Sequence, residues 1–291
     1  MKKQTEIKYK NQLFFLFAIF LTVFFQTNSH ANQNNVNTLI FEGCDFHYKG
    51  DLTQAMEKFH AALKLNPDNE YALNQAGIIY TKKKEYKKAF NTFLKVSKID
   101  KKNTYALLWL GILYLVEGKM NDAYEQFNKI ISIDPSNADA YYFIGSIYNF
   151  RHNTAMAIKY LKKARDADSL EADTHFRLAK AFHNVDMTAN AMLEYQRTLA
   201  INQNYTKAIN QIGWIYYNQN NIDKAIKQWK KTLKINNRDR NAVLNIAKAY
   251  NQLAFQELKR KRINNAKKQW KKTLKINPGN KAAKYYLKKY K

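Results

Sequence analysis

One spacing constrains this chain more than any other feature: small residues recur every 34 positions. Gly43, Gly77, Gly111, Gly145, Ala179, Gly213 and Ala247 form one series. Ala55, Ala89, Ala123, Ala157, Ala191 and Ala225 form a second, twelve residues behind it. The next step of the second series falls on Lys259, and the alanine that belongs there is Ala266, seven residues late. Units this short cannot bury an apolar side alone, so a stack of neighbours must supply the core.

Residues 36–69 show the pattern. Leu39, Gly43 and Phe46 precede Ala55, Phe59, Ala62 and Pro67, with steps of mostly three or four inside each half, the period of one helical face. Gly50-Asp51 marks a turn between the halves, and Asn66-Pro67-Asp68 breaks the chain before the next unit. Each unit therefore predicts a helix, a tight turn, a second helix and a short exit. Units four and five (138–171 and 172–205) depart from this. The exit Asp168-Ser169 lacks Pro, and His175 replaces a large apolar residue.

The seventh unit, 240–280, holds the insertion near 254–262. Val243, Ile246, Ala247, Tyr250, Leu253, Ala254 and Leu258 continue one apolar stripe through it, because seven residues are almost two helical turns. Its first helix is expected to run on to about Lys261 and project past its neighbours. Residues 281–291 predict an amphipathic capping helix, with Ala283, Tyr286, Leu287 and Tyr290 turned inward.

The repeat resembles the tetratricopeptide repeat (TPR) family, in seven units over residues 36–280. The resemblance implies an all-α, right-handed superhelical solenoid. Small residues allow the helices of a unit to approach, and Phe59, Phe93, Phe127, Leu161, Tyr195, Trp229 and Trp270 are expected to fill the gaps between units. It also implies a concave groove lined by the first helices at their second, fifth, ninth and twelfth places. Carried onto this chain, those places hold Tyr71, Tyr105, Leu108, Ile112, Leu115, Tyr142, Phe176, Trp214 and Tyr217, beside Asn74, Ile78, Asp139, Ser146, Asn149, Asp173, Lys180, His183, Lys207, Asn210, Asn241, Leu244, Lys248 and Asn251. A protein or peptide partner is the expected occupant. The Lys-and-Asn clamp by which some members hold a C-terminal carboxylate is not matched, since no first helix has Lys fifth and Asn ninth.

Residues 1–31 read as an export signal: Lys2, Lys3, Lys8 and Lys10, an apolar run from Leu13 to Phe25, then Ser29-His30-Ala31. The run makes a helix of roughly 20 Å against a bilayer core of about 30 Å. Cleavage after Ala31 is thus expected, with an uncleaved inner-membrane anchor as the alternative. Residues 32–35 are read as a short linker. The mature chain is expected in the periplasm or secreted, with no membrane-spanning segment. A single cysteine, Cys44, excludes an intramolecular disulfide.

Charge separates along the chain. Of the formal +26, residues 206–291 carry +20, from 23 basic and three acidic side chains, Asp223, Asp239 and Glu257. The candidate polyanion-binding residues are Lys227, Lys231, Lys259, Arg260, Lys261, Arg262, Lys267, Lys268, Lys271, Lys272 and Lys275. Lys230 and Lys234 lie among them on the sixth unit's second helix. Self-repulsion on this scale is a standing cost to the fold, which points to a polyanion at this end. Anionic lipid, polysaccharide or an acidic protein fit export, and nucleic acid ranks below them because aromatics are not interleaved on that face.

Enzyme signatures fail: there is no His-Glu-x-x-His, Gly-x-Ser-x-Gly or Cys-x-x-Cys motif, and no cofactor or catalytic residue is expected. His175 and His183 share a helix face with Glu171 four before His175. The sharper reading is a metal pair, and the plainer one is a partly buried histidine and a surface one. The function expected is a non-enzymatic interaction scaffold in the cell envelope, with polyanion binding as the alternative.

Overall fold

A computed structural model of the chain describes residues 31–290. Among these residues there are fifteen helices and no strand. They are α1 (Ala31–Lys49), α2 (Leu52–Leu65), α3 (Glu70–Lys82), α4 (Tyr86–Ile99), α5 (Thr104–Val116), α6 (Met120–Ile133), α7 (Ala138–Phe150) and α8 (Thr154–Ala167). There follow α9 (Ala172–His183), α10 (Thr188–Ile201), α11 (Thr206–Asn218), α12 (Ile222–Ile235), α13 (Arg240–Lys259), α14 (Ile263–Ile276) and α15 (Lys281–Lys289). The architecture is the all-α solenoid type, in which, within each unit of the chain, consecutive helices pack on one another. The signal-peptide residues lie almost wholly outside the described ones. Residues 32–35, expected as a linker, belong to α1: they hold no Gly or Pro, and the buried Val36 and Ile40 anchor that helix.

Local chemistry explains the boundaries. Asn69, Asn137, Asp239 and Asn280 accept from the backbone N–H three residues on, capping α3, α7, α13 and α15. Each tight turn holds one residue at positive φ: Gly50, Lys84, Gly118, His152, Asp186, Asn220 and Lys261. Their step is 34 until the last, which is 41, so the turn slips with the alanines.

The chain forms two compact units that meet in sequence between Leu113 and Tyr114. In the first, Phe59 packs with Val36, Ala55 and Ala76, and Phe93 with Leu73, Ala106 and Leu110. In the second, the cores are built around Leu161 and Tyr195, around Trp229, and around Trp270. The large residues do not sit only between repeats. A Cβ on Gly43 would stand 2.8 Å from Phe59, on Gly77 2.6 Å from Phe93 and on Gly145 2.7 Å from Leu161. In these three pairs the large side chain of the second helix thus lies directly over the small residue of its own first helix, sixteen positions earlier.

The insertion lengthens α13 to 20 residues, and it ends at Lys259 with Lys261 making the turn. Ala254 packs with Ala266 and Trp270, so it takes the place in this unit that Gly213 holds against Trp229. The extra turns are therefore not left alone, since α14 moves with them.

Candidate functional site

In the second unit the first helices α7, α9, α11 and α13 carry a connected row of aromatic and charged side chains. On α7, Tyr142 is half-buried and its hydroxyl accepts from Arg177 Nε of α9, whose guanidinium carbon lies 5.1 Å from the Tyr142 ring centre. Burial pushes the Tyr142 hydroxyl above its ordinary pKa. Phe176 of α9 meets Tyr205, which stands just before α11, at 5.1 Å between ring centres. The Tyr205 hydroxyl donates to Asp173 Oδ1, and burial and that contact hold it protonated well above the usual tyrosine range. On α11, Trp214 meets Tyr217 edge-on at 5.4 Å, and Lys248 of α13 places its Nζ 4.8 Å from Trp214 and 5.2 Å from Tyr217. These are cation–π distances.

The row borders a cavity of about 610 Å³ lined by Asn149, Asp173, Phe176, Arg177, Lys180, Tyr205, Lys207, Asn210, Gln211, Trp214, Asn241 and Asn245. Phe176 and Trp214 of the expected groove residues line it directly. Tyr142 and Tyr217 adjoin it through Arg177 and Trp214. Of the polar places expected on these helices, Asn149, Asp173, Lys180, Lys207, Asn210 and Asn241 line it too, whereas Asp139, Ser146, His183, Lys248 and Asn251 are not in its lining. Arg177, Gln211 and Asn245 were not foreseen. All three occupy the sixth place of their units, four after the second and three before the ninth, hence on the same helical face. Tyr205, on the connection before α11, carries no periodic signal.

Leu115 is half-buried on the last turn of α5. The other expected groove residues belong to the first unit. Tyr71 is half-buried, and its hydroxyl pairs with Cys44 Sγ at 3.2 Å. Tyr105 is 38% exposed and meets Trp109 edge-on at 6.3 Å, while Leu108 and Ile112 are half-buried on the same helix.

His175 does not join His183. Its Nδ1 lies 2.6 Å from Glu194 Oε2 and its Nε2 3.0 Å from the Ser169 carbonyl. Both partners offer acceptor oxygens, so the pair of contacts favours the protonated ring, in which both nitrogens donate. Glu194 is 2% exposed and also accepts from Arg197 at 2.7 Å and Arg165 at 3.2 Å. The hydrogen bond to Glu194 raises the His175 pKa against the effect of burial. Burial alone would push Glu194 up, but His175 and Arg197 outweigh it and hold the carboxyl below its ordinary value. The cluster locks α9 to α10. Among the described residues no group of three His, Cys, Asp or Glu is arranged to hold a metal.

The candidate polyanion residues lie on α12, α14, the last residue of α13 and the turn that follows it, and all are exposed except the half-buried Lys267. Arg260 and Arg262 lean on Glu257, at 3.0 and 4.0 Å. No described helix is long and apolar enough to cross a membrane.

Comparison with known proteins agrees with this architecture. The sequence profile of the tetratricopeptide repeat protein 21 second ARM domain matches residues 49–167, and that of the tetratricopeptide repeat matches residues 206–239. No curated protein matches the chain. Among solved structures, MamA is 29% identical over 56% of this chain and 95% of its own, with a TM-score of 0.50. The C-terminal part of a TPR repeat-containing protein from Cytophaga hutchinsonii is 17% identical over 84% of this chain and 98% of its own, with a TM-score of 0.66. YrrB, described as a TPR protein with an unusual peptide-binding site, is 19% identical over 64% of this chain and 95% of its own, at 0.50.

Proposed function

This chain belongs to the tetratricopeptide repeat family, and from that premise we propose that it is a non-enzymatic scaffold that holds an extended peptide segment of a protein partner along α7, α9, α11 and α13. The observation that carries the reading is the cavity itself. Asn149, Asn210, Gln211, Asn241 and Asn245 stand around it beside Phe176 and Trp214. Side-chain amides both donate and accept, which is what an unpaired peptide backbone requires. Aromatic rings add contact area with few rotors to freeze. A peptide-binding site described on the same fold in YrrB fits this reading.

Panning a random-peptide library on the full chain tests it. Enriched peptides should bind the wild type and lose affinity for the Trp214→Ala and Gln211→Ala variants. Peptides indifferent to both would overturn the reading. In the first unit, Tyr105, Leu108 and Ile112 offer a further contact stretch, read out by Leu108→Asp and Ile112→Asp in the same assay. Export to the cell envelope rests on residues 1–31, and N-terminal sequencing of the mature protein should begin at Asn32.

A second reading, polyanion binding through the C-terminal third, is favoured by a separate observation: among the described residues no ion pair holds Lys227, Lys230, Lys231 or Lys234 of α12, or Lys268, Lys271, Lys272 or Lys275 of α14.

A further inference from the structure

The helices α12 and α14, each with its C-cap asparagine, end in the same nine residues, Gln228–Asn236 and Gln269–Asn277. The core accounts for part of that identity. Trp229, Trp270, Thr232 and Thr273 are fully buried, and each threonine hydroxyl donates to an asparagine of the preceding helix, Asn210 or Asn251. It does not account for the exposed lysines. Lys227, Lys230, Lys231 and Lys234 match Lys268, Lys271, Lys272 and Lys275, each pair 41 residues apart. Among the described residues none of these eight forms an ion pair. The nearby carboxylates are engaged or alone: Asp239 caps α13 through the Ala242 N–H at 2.7 Å, and Glu257 is taken by Arg260, Arg262 and Asn265. Only Asp223, in the first turn of α12, stands beside eight lysines.

The insertion decides how the two rows lie. Seven residues displace α14 along the helix axis by about 10 Å, which is why Trp270 meets Ala254 instead of Ala247. Lys275 then comes level with Lys227, and the rows follow one another in a stagger of about 20 Å from Lys234 to Lys268. Tyr250 marks the joint: its ring centre lies 6.0 Å from Lys230 Nζ and 5.6 Å from Lys272 Nζ.

We propose that this staggered lysine track binds a linear acidic polysaccharide. A track longer than either helix row suits an extended polymer better than a single anionic group. The only aromatics on α12 and α14 are the buried Trp229 and Trp270, so nothing on the track stacks on nucleic-acid bases. The exposed apolar residues of the two helices, Ile235 and Ile263, stand at their outer ends, so the track has no wedge for a bilayer. Lysine, a hydrated and mobile point charge, fits dispersed carboxylates, where arginine would fit a fixed fork.

The test uses the full chain on immobilised alginate, a linear polyuronate, at several salt concentrations. The Lys231→Gln, Lys234→Gln, Lys272→Gln, Lys275→Gln variant should bind about tenfold more weakly or worse, with a shallower salt dependence. Removing four charges from α15 (Lys281→Gln, Lys284→Gln, Lys288→Gln, Lys289→Gln) should change affinity by less than about threefold. Circular dichroism checks folding. Should the first variant unfold, Lys231→Gln with Lys275→Gln spares the Tyr250 contacts and reads the same loss. Equal losses from the track variant and the α15 variant would reduce the track to net charge and overturn the proposal. So would tighter binding, at the same salt, to phosphatidylserine vesicles or duplex DNA than to alginate.

Discussion

Trp229 lies so close over Gly213 that a Cβ there would stand 2.3 Å from its Nε1, which donates to the Asn210 carbonyl at 3.2 Å. The first helix must be bare at that point for the indole to cross it. Gly213→Ala should therefore overpack the contact and cost about 1–3 kcal/mol, read as a lower denaturant midpoint.

The other copy of the nonapeptide supplies an internal control. Trp270 lies against Ala254, and its buried Nε1 has no hydrogen-bond partner. The same indole is thus satisfied in one repeat and orphaned in the next. Trp229→Phe removes a made hydrogen bond, whereas Trp270→Phe removes a donor that pays a desolvation cost. Trp229→Phe should be the more destabilising of the two by about 1 kcal/mol, measured by urea unfolding under identical conditions.

Lys84 occupies the turn at φ +62, a place where Gly50 and Gly118 sit without strain. A side chain in the left-handed region costs about 1–2 kcal/mol, and glycine's extra freedom in the unfolded chain returns part of any gain. Lys84→Gly should raise stability by about 0.5–1 kcal/mol, seen as a higher thermal midpoint.

The His175–Glu194 pair fixes a pH window. The folded pKa of His175 is raised above its ordinary 6.5, so its contribution is complete below 6.5 and is lost as pH rises through the folded value. The folded pKa of Glu194 is depressed below its ordinary 4.5, so its contribution is complete above 4.5 and is lost as pH falls through the folded value. Both act in full between 4.5 and 6.5. Denaturation midpoints across pH should fall on both sides of that window, and His175→Gln should flatten the alkaline side. An alkaline side of unchanged slope in that variant would remove His175 as its cause.

Much of this was legible in the sequence because repetition does the work of an alignment. The small series located every helix pair, and Phe59, Phe93, Phe127, Leu161, Tyr195, Trp229 and Trp270 are all fully buried. The site was legible where it follows period: Phe176, Trp214, Lys207 and Asn241 fall on the expected places and line the cavity. Arg177, Gln211 and Asn245 were missed because four places per helix describe a narrower stripe than the real face, which also takes in the sixth place. Glu194 was hidden differently. His175 at an apolar place signalled a buried polar contact, but its partner is nineteen residues away on another helix, where no period points.

The insertion itself can be removed cleanly. Deleting residues 253–259 joins Gln252 to Arg260 and restores the 34-residue step, since Arg260-Lys261-Arg262-Ile263 then align with Gln219-Asn220-Asn221-Ile222. Trp270 would face Ala247, and α14 would fall back by about 10 Å. All four matched lysine pairs would come level, where the native stagger sets two pairs level, Lys275 beside Lys227 and Lys272 beside Lys224. Repulsion between exposed charges is screened over a Debye length of about 8 Å at physiological ionic strength and about 30 Å at 0.01 M. The deletion variant should therefore remain helical but gain more thermal stability from added salt than the native chain does. Thermal midpoints at about 0.01 M and 1 M salt measure this. Equal salt increments in the two proteins would show that the stagger does not relieve the lysine rows.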